Sequence, residues 1–199
     1  MLVPLGSGEK APVVAPLTTA EQAAYTAPGP TLDFGNKVFA AWLDKRQLHS
    51  KKNEAPLQLA SRILTAIRAD FGYRFDMQEA KNVSLVCARP STDCAGMSYL
   101  FVGALRANGI PARALVGRLA KPRKVGAGPN DNGHDQPHVR AEMYVANIGW
   151  VPVDPTFANV DKARPVDAFL GNDTGDMIVL HIDPDLQLPF PDQIGRAHV

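Results

Sequence analysis

Apolar residues recur at helical spacing three times in the first 110 positions, and at alternate positions after that. Phe34, Val38, Ala41 and Trp42 follow Asp33, which reads as an N-cap, and predict a helix to about Leu48. The polar run Ser50-Lys51-Lys52-Asn53 breaks the pattern. A second helix opens at Pro56, carries Leu59, Ile63, Ile67 and Phe71 on one stripe, and is stopped by Gly72. Tyr73-Arg74-Phe75 reads as a short extended piece and residues 76–92 as a loop. A third helix is expected from about Asp93 to Asn108, with Met97, Leu100, Phe101, Ala104 and Leu105 facing inward. Asn108-Gly109-Ile110-Pro111 ends it: a left-handed residue, a hydrophobic cap contact and a residue that cannot continue a helix.

Beyond Pro111 the period falls to two. Strands are predicted at Ala112–Leu119, His138–Val145, Gly149–Val153 and Met177–Ile182, with a polar loop over 120–136 and a turn at Ala146-Asn147-Ile148. Helices first and strands after define an α+β domain, with N-terminal helices packed on one face of an antiparallel sheet. Residues 1–32, with Pro4, Pro12, Pro16, Pro28 and Pro30, read as an extended arm or linker with at most a short turn near Thr19–Tyr25. Residues 33–199 read as one domain.

Composition narrows the functional classes. The chain has 199 residues, 45% of them hydrophobic and 21% charged, enough for a packed core and too apolar for general disorder. The net charge of +1 carries no overall basic footprint for nucleic acid, and no stretch is long and apolar enough for a membrane helix. The charge is uneven: residues 35–74 are basic and residues 154–199 acidic, as expected of two solvated faces that lie near each other. Two cysteines, Cys87 and Cys94, exclude a disulfide framework and a Cys-rich zinc site. The start at Met1 shows neither a basic n-region nor a long apolar run, so no signal peptide is visible. A native Met1 implies a cytoplasmic protein.

Cys94 falls in the first turn of the third predicted helix, after the cap candidates Ser91, Thr92 and Asp93. Free N–H groups and the positive end of the helix dipole favour a thiolate at such a place. A thiol nucleophile needs an imidazole within reach and a third group to orient it. His138 opens one predicted strand and Asp154 closes the next, so an antiparallel pairing makes them cross-strand neighbours. The pattern thus assembles a Cys94–His138–Asp154 triad at a helix–sheet boundary.

Three blocks in this order resemble the transglutaminase-like cysteine hydrolase superfamily. They are Asp93-Cys94 through the helix to Arg106-Ala107-Asn108-Gly109-Ile110-Pro111-Ala112-Arg113, then His138-Val139-Arg140-Ala141-Glu142-Met143-Tyr144, then Gly149-Trp150-Val151-Pro152-Val153-Asp154-Pro155-Thr156. The resemblance covers residues 57–157. It implies a papain-like transglutaminase core, with Cys94 as nucleophile, His138 as base and Asp154 as its orienter. Two positions depart from the family pattern: Ser91-Thr92 stands where a glycine is usual, and Arg140 where an aromatic is usual. The family also takes a second oxyanion donor from a side chain upstream of the cysteine, for which Tyr73, Gln78 and Trp42 are the candidates.

These readings lead to a thiol-dependent amide or peptide hydrolase working through a thioester, on a peptide or protein substrate. It needs no metal or organic cofactor, and nucleic acid and membrane are not expected partners. The alternatives are a protein-glutamine transglutaminase that joins amines to the acyl group, and a non-catalytic peptide-binding or scaffold domain. Arg140 is expected to place a positive charge on the cleft wall and so to disfavour a cationic amine acceptor. A metal site at His134, Asp135 and His138 is a weaker reading, since spacing off a helix fixes no geometry. A Cys87–Cys94 disulfide is also weaker than two free thiols. Lys121, Arg123 and Lys124, in the long loop, are candidates for contact with an acidic acyl group.

Overall fold

A computed structural model describes residues 14–120 and 137–185. The chain opens with α1 (Thr19–Ala24), closed at its start by a reciprocal Thr18–Glu21 capping box. Two longer helices follow, α2 (Lys37–Arg46) and α3 (Pro56–Asp70). Then come β1 (Gly72–Tyr73), α4 (Val83–Cys87), β2 (Ser91–Thr92) and α5 (Cys94–Ala107). The sheet strands are β3 (Ala112–Leu119), β4 (Pro137–Val145), β5 (Gly149–Val153) and β6 (Met177–Ile182). Between β5 and β6 lie α6 (Pro155–Val160) and a 3₁₀ turn, Val166–Phe169.

The four strands form an antiparallel sheet in the order β5-β4-β3-β6. α5 packs across β4 and β3. Its Met97, Leu100, Phe101, Ala104 and Leu105 meet a sheet face made by Ala112, Ala114, Val116, Val139, Ala141 and Met143, all buried. Each large side chain fully withdrawn from water there contributes about 1.5–3 kcal/mol. α3 backs α5 from the other side through Leu59, Ile63, Leu64 and Ile67. The fold is therefore α+β, with helices on one face of an antiparallel sheet.

The helix boundaries show where local pattern gives way to tertiary context. α2 starts at Lys37, capped by Asn36 through the Val38 N–H, and Asp33 is not its cap. Asp33 instead accepts from the backbone N–H and hydroxyl of Ser84, holding the first turn of α4, which lies in a segment that reads as loop. The stop after α5 is as expected: Gly109 sits at φ +70°, and the Ile110 N–H reaches back to the Leu105 carbonyl at 3.0 Å. Residues 14–32 contain α1 and touch the sheet: Tyr25 packs edge-on to Trp150, Tyr144 Oη donates to the Ala15 carbonyl, and Leu32 is fully buried. The basic and acidic segments meet at Arg68, whose guanidinium donates to the carbonyls of Ala158, Asp161 and Arg164.

Two features shape the end of the sheet where β4 begins. The short strands β1 and β2 pair in parallel, setting Tyr73 beside Thr92 just ahead of Cys94. After the 3₁₀ turn, Leu170 bridges to Val153 and the Gly171 N–H bonds the Pro152 carbonyl, so the chain runs along the outer edge of β5. It then crosses to β6, which lies against β3 on the opposite edge. Residues 172–176 make that crossing.

Candidate active site

Cys94 is the first residue of α5. The carboxylate of Asp93 caps the helix by accepting from the Gly96 N–H at 3.1 Å. The Cys94 side chain is 5% exposed, and the N–H groups of Val139 and Ala95 point to its sulfur. Val139 follows His138 directly, so the start of α5 and the start of β4 meet at the sulfur.

His138 and Asp154 are joined: Nε2 lies 2.8 Å from Asp154 Oδ2, and both side chains are buried. Their relation is not that of direct cross-strand neighbours. The register sets Ala141 against Val153, so one step further Asp154 falls opposite Arg140, and His138 reaches it on the diagonal. The other carboxylate oxygen of Asp154 accepts from the Phe157 N–H at 2.9 Å and caps α6. The Phe157 ring lies 5.4 Å from the imidazole. Asp154 is thus fixed by its own helix while it holds His138, and the imidazole Nδ1 is left for other work.

Arg140 differs most from the sequence expectation. It is buried, and it does not present a free charge to a cleft. Nε donates to Asp154 Oδ2 at 3.1 Å, Nη1 to Asp173 at 2.7 Å, and Nη2 to Asp176 at 2.6 Å and Thr174 at 3.2 Å. Three carboxylates around one guanidinium cancel its charge, so the argument that it repels a cationic amine does not hold.

Cys94 corrects a second expectation. Burial pushes its thiol up to about 12, and the negative charge of Asp93 and then of Asp154 adds to the rise. The N–H groups of Val139 and Ala95 oppose that shift without overcoming it. The helix start favours a thiolate as expected, but desolvation outweighs it. A sulfur in this setting needs a base beside it. Lys81 moderates the nearest negative charge, with Nζ 2.9 Å from Asp93 Oδ2.

Among the three candidates for a second oxyanion donor, Trp42 is spent elsewhere: its indole N–H donates to Asp70 at 2.8 Å between α2 and α3. Gln78 lies on an exposed turn. Tyr73 pairs with Thr92, and burial, then the charges of Cys94, Asp93 and Asp154, hold its phenol well above the usual range. Raised in this way, the phenol keeps its O–H as a donor at neutral pH. Both cysteines are free thiols. His134, Asp135, Lys121, Arg123 and Lys124 lie outside the described residues.

Sequence reasoning missed the cations that hold the two carboxylates. Arg140 was visible only as a departure from a pattern, and Lys81 gave no signal in a segment that reads as loop.

A buried cysteine at a helix start, beside a strand bearing a histidine held by an aspartate, defines an α+β fold of the papain-like type. The family model described as the transglutaminase-like superfamily matches residues 45–155, and the chain belongs to that superfamily. An uncharacterized protein from Haemophilus influenzae is 40% identical over 83 residues, which are 36% of this chain and 22% of that protein. A solved structure from Cytophaga hutchinsonii, described as a "putative cysteine protease", superposes with a TM-score of 0.52 at 18% identity, over 82% of this chain and 47% of that one. The periplasmic domain of TgpA from Pseudomonas aeruginosa gives a TM-score of 0.47 at 22% identity, over 71% of this chain and 49% of that one. The chain therefore spans about a fifth of the curated relative and about half of each solved one.

Proposed function

We propose that this chain is a thiol-dependent amide or peptide hydrolase, with Cys94 as nucleophile, His138 as general base and acid, and Asp154 as the group that orients the imidazole. The observation that carries the reading is the 2.8 Å bond from His138 Nε2 to Asp154, next to a sulfur that receives the Val139 N–H. That bond occupies Nε2 and turns Nδ1 to the proton-transfer task.

The resting sulfur is a neutral thiol, since burial and the Asp93 charge oppose a standing thiolate. As the sulfur attacks the carbonyl carbon, Nδ1 takes its proton and the C=O electron pair moves to oxygen. The oxyanion is met by the Cys94 N–H at the helix start and by the Tyr73 hydroxyl. Collapse expels the amine, which leaves with the proton held by His138, and a thioester remains on Cys94. Water then attacks the thioester as His138 takes one of its protons. Cys94 leaves as the thiol, and a free carboxylic acid is released. Asp154 stays charged throughout and stabilises the imidazolium at each transfer.

Water is favoured over an amine because it needs no binding slot of its own. Incubation with a broad peptide and amide library, read by mass spectrometry, tests the reading. Free acids that appear with the parent chain and vanish with Cys94→Ala support it. Products from Cys94→Ala at the parent rate overturn it, and no product from either protein favours the binding-domain alternative.

A further inference from the structure

The Cys–His–Asp reading leaves Arg140 without a role, although Arg140 is the most heavily bonded side chain near the site. It is 6% exposed on β4, two residues from His138 and on the same face of the strand. Its three nitrogens are divided: one holds the same Asp154 oxygen that His138 uses, and two hold the crossing segment through Asp173, Thr174 and Asp176. That segment is itself built around the guanidinium. Asp173 also accepts from the Gly175 N–H at 2.9 Å, Thr174 donates to Asp176, and Asp176 ties the loop to β3 through the Ala120 N–H.

We infer that Arg140 is a positioning residue, which fixes the Asp154 carboxylate in register with His138 and ties that carboxylate to the 172–176 crossing. The inference rests on the proposed Cys–His–Asp function.

Arg140 acts on Asp154 through both geometry and charge. The Asp154 N–H bonds the Phe169 carbonyl and Oδ1 caps α6, while Oδ2 meets both His138 Nε2 and Arg140 Nε, so the guanidinium sets the direction in which that oxygen faces the imidazole. A planar guanidinium anchored at both of its other nitrogens is a fixed point, whereas an ammonium on a flexible stem is not. The surrounding charges add to this. Arg140 faces Asp154 at the end of β5, Asp173 and Asp176 on the crossing, and His138 on its own strand. Glu142, further along β4, is already paired with Arg113. A neutral residue at 140 leaves Asp154, which His138 bonds, and the Asp173 and Asp176 carboxylates without their shared cation. A proton on His138 is then easier to keep, and its work as a base begins at higher pH.

The crossing spans the sheet from the β5 edge to β6, so the same guanidinium couples loop geometry to the orientation of His138. Loosening the loop carboxylates should slow the thiol without removing any reacting group.

The test is the rate of Cys94 alkylation by iodoacetamide as a function of pH, mapped by mass spectrometry on the full chain, with folding followed by circular dichroism. Arg140→Gln should shift the acid limb of the profile upward by about one pH unit and slow alkylation at pH 7 by about tenfold. Arg140→Lys should restore the position of the limb but not the full rate. Asp173→Asn lies at the more exposed end of the network and serves if Arg140→Gln does not fold. It should slow alkylation severalfold with Cys94 and His138 intact. A parent-like profile in folded Arg140→Gln, or in Asp173→Asn where the former is unfolded, overturns the positioning role. His138→Ala in parallel separates the two readings. Slow alkylation there, with parent-like Arg140 and Asp173 variants, overturns the positioning role alone. Parent-like alkylation in His138→Ala overturns the assignment of His138 as the base and the positioning role together.

Discussion

Lys81 Nζ lies 2.9 Å from Asp93 Oδ2, so the carboxylate that caps the Cys94 helix is neutralised by a side chain twelve residues upstream. Lys81 also donates to the Asp76 carbonyl at 2.7 Å, which pins the 74–81 segment against the start of α5. Both partners are largely buried, and removing one leaves an unpaired charge under the helix start. Lys81→Met should cost about 3 kcal/mol in urea unfolding. In the fraction that remains folded it should slow Cys94 alkylation, because the negative charge beside the sulfur is no longer offset. A variant as stable and as reactive as the parent would show that Asp93 needs no counter-charge.

Gly96 is held by its neighbour. A methyl group there would overlap the hydroxyl of Thr92, which is fully buried one strand residue before the cap. The glycine absent before Cys94 is thus answered by one after it, and the bulk moves to Thr92. Gly96→Ala should cost about 1–3 kcal/mol, and Thr92→Ala in the same chain should recover most of that. Thermal unfolding of the single and double variants reads both values.

Tyr73 is the proposed second donor to the oxyanion, which a phenylalanine of the same shape cannot be. Tyr73→Phe should lower kcat by about 100-fold with little change in KM, since the interaction forms mainly in the transition state. A change confined to KM would instead make Tyr73 a wall of the substrate site.

The raised Cys94 thiol has a consequence for stability at alkaline pH. The folded chain keeps this proton to about 12, while an unfolded cysteine releases it near 8.5. Stability gained from the neutral buried thiol is therefore complete below about pH 8.5 and declines as pH rises toward 12, at up to about 1.4 kcal/mol per unit. Cys94→Ala should flatten the dependence of unfolding free energy on pH between 9 and 11. Equal slopes in the two proteins would mean that the sulfur is not desolvated as described.

Much of this frame was legible in sequence. α3, α5 and the strands β3 to β5 follow from periodicity and from stops such as Gly109, because their apolar faces pack where the local pattern points. Cys94, His138 and Asp154 fall at element ends, where spacing alone brings them near each other. What was not legible depends on contacts between distant segments. Asp33 caps a helix fifty residues away, and Arg140 meets Asp173 and Asp176 only because the chain crosses the sheet after the 3₁₀ turn. A two-residue difference in register turned the expected His138–Asp154 pairing into a diagonal, and put Arg140 opposite the aspartate.

The central claim is that Cys94 forms an acyl-enzyme which water resolves. It is tested most directly by one reaction of the full chain with a casein-type substrate and a fluorescent primary amine, analysed by mass spectrometry. New free carboxylic acids, little amine incorporation, and neither product with Cys94→Ala are expected. Amine-labelled glutamine as the main product would contradict it.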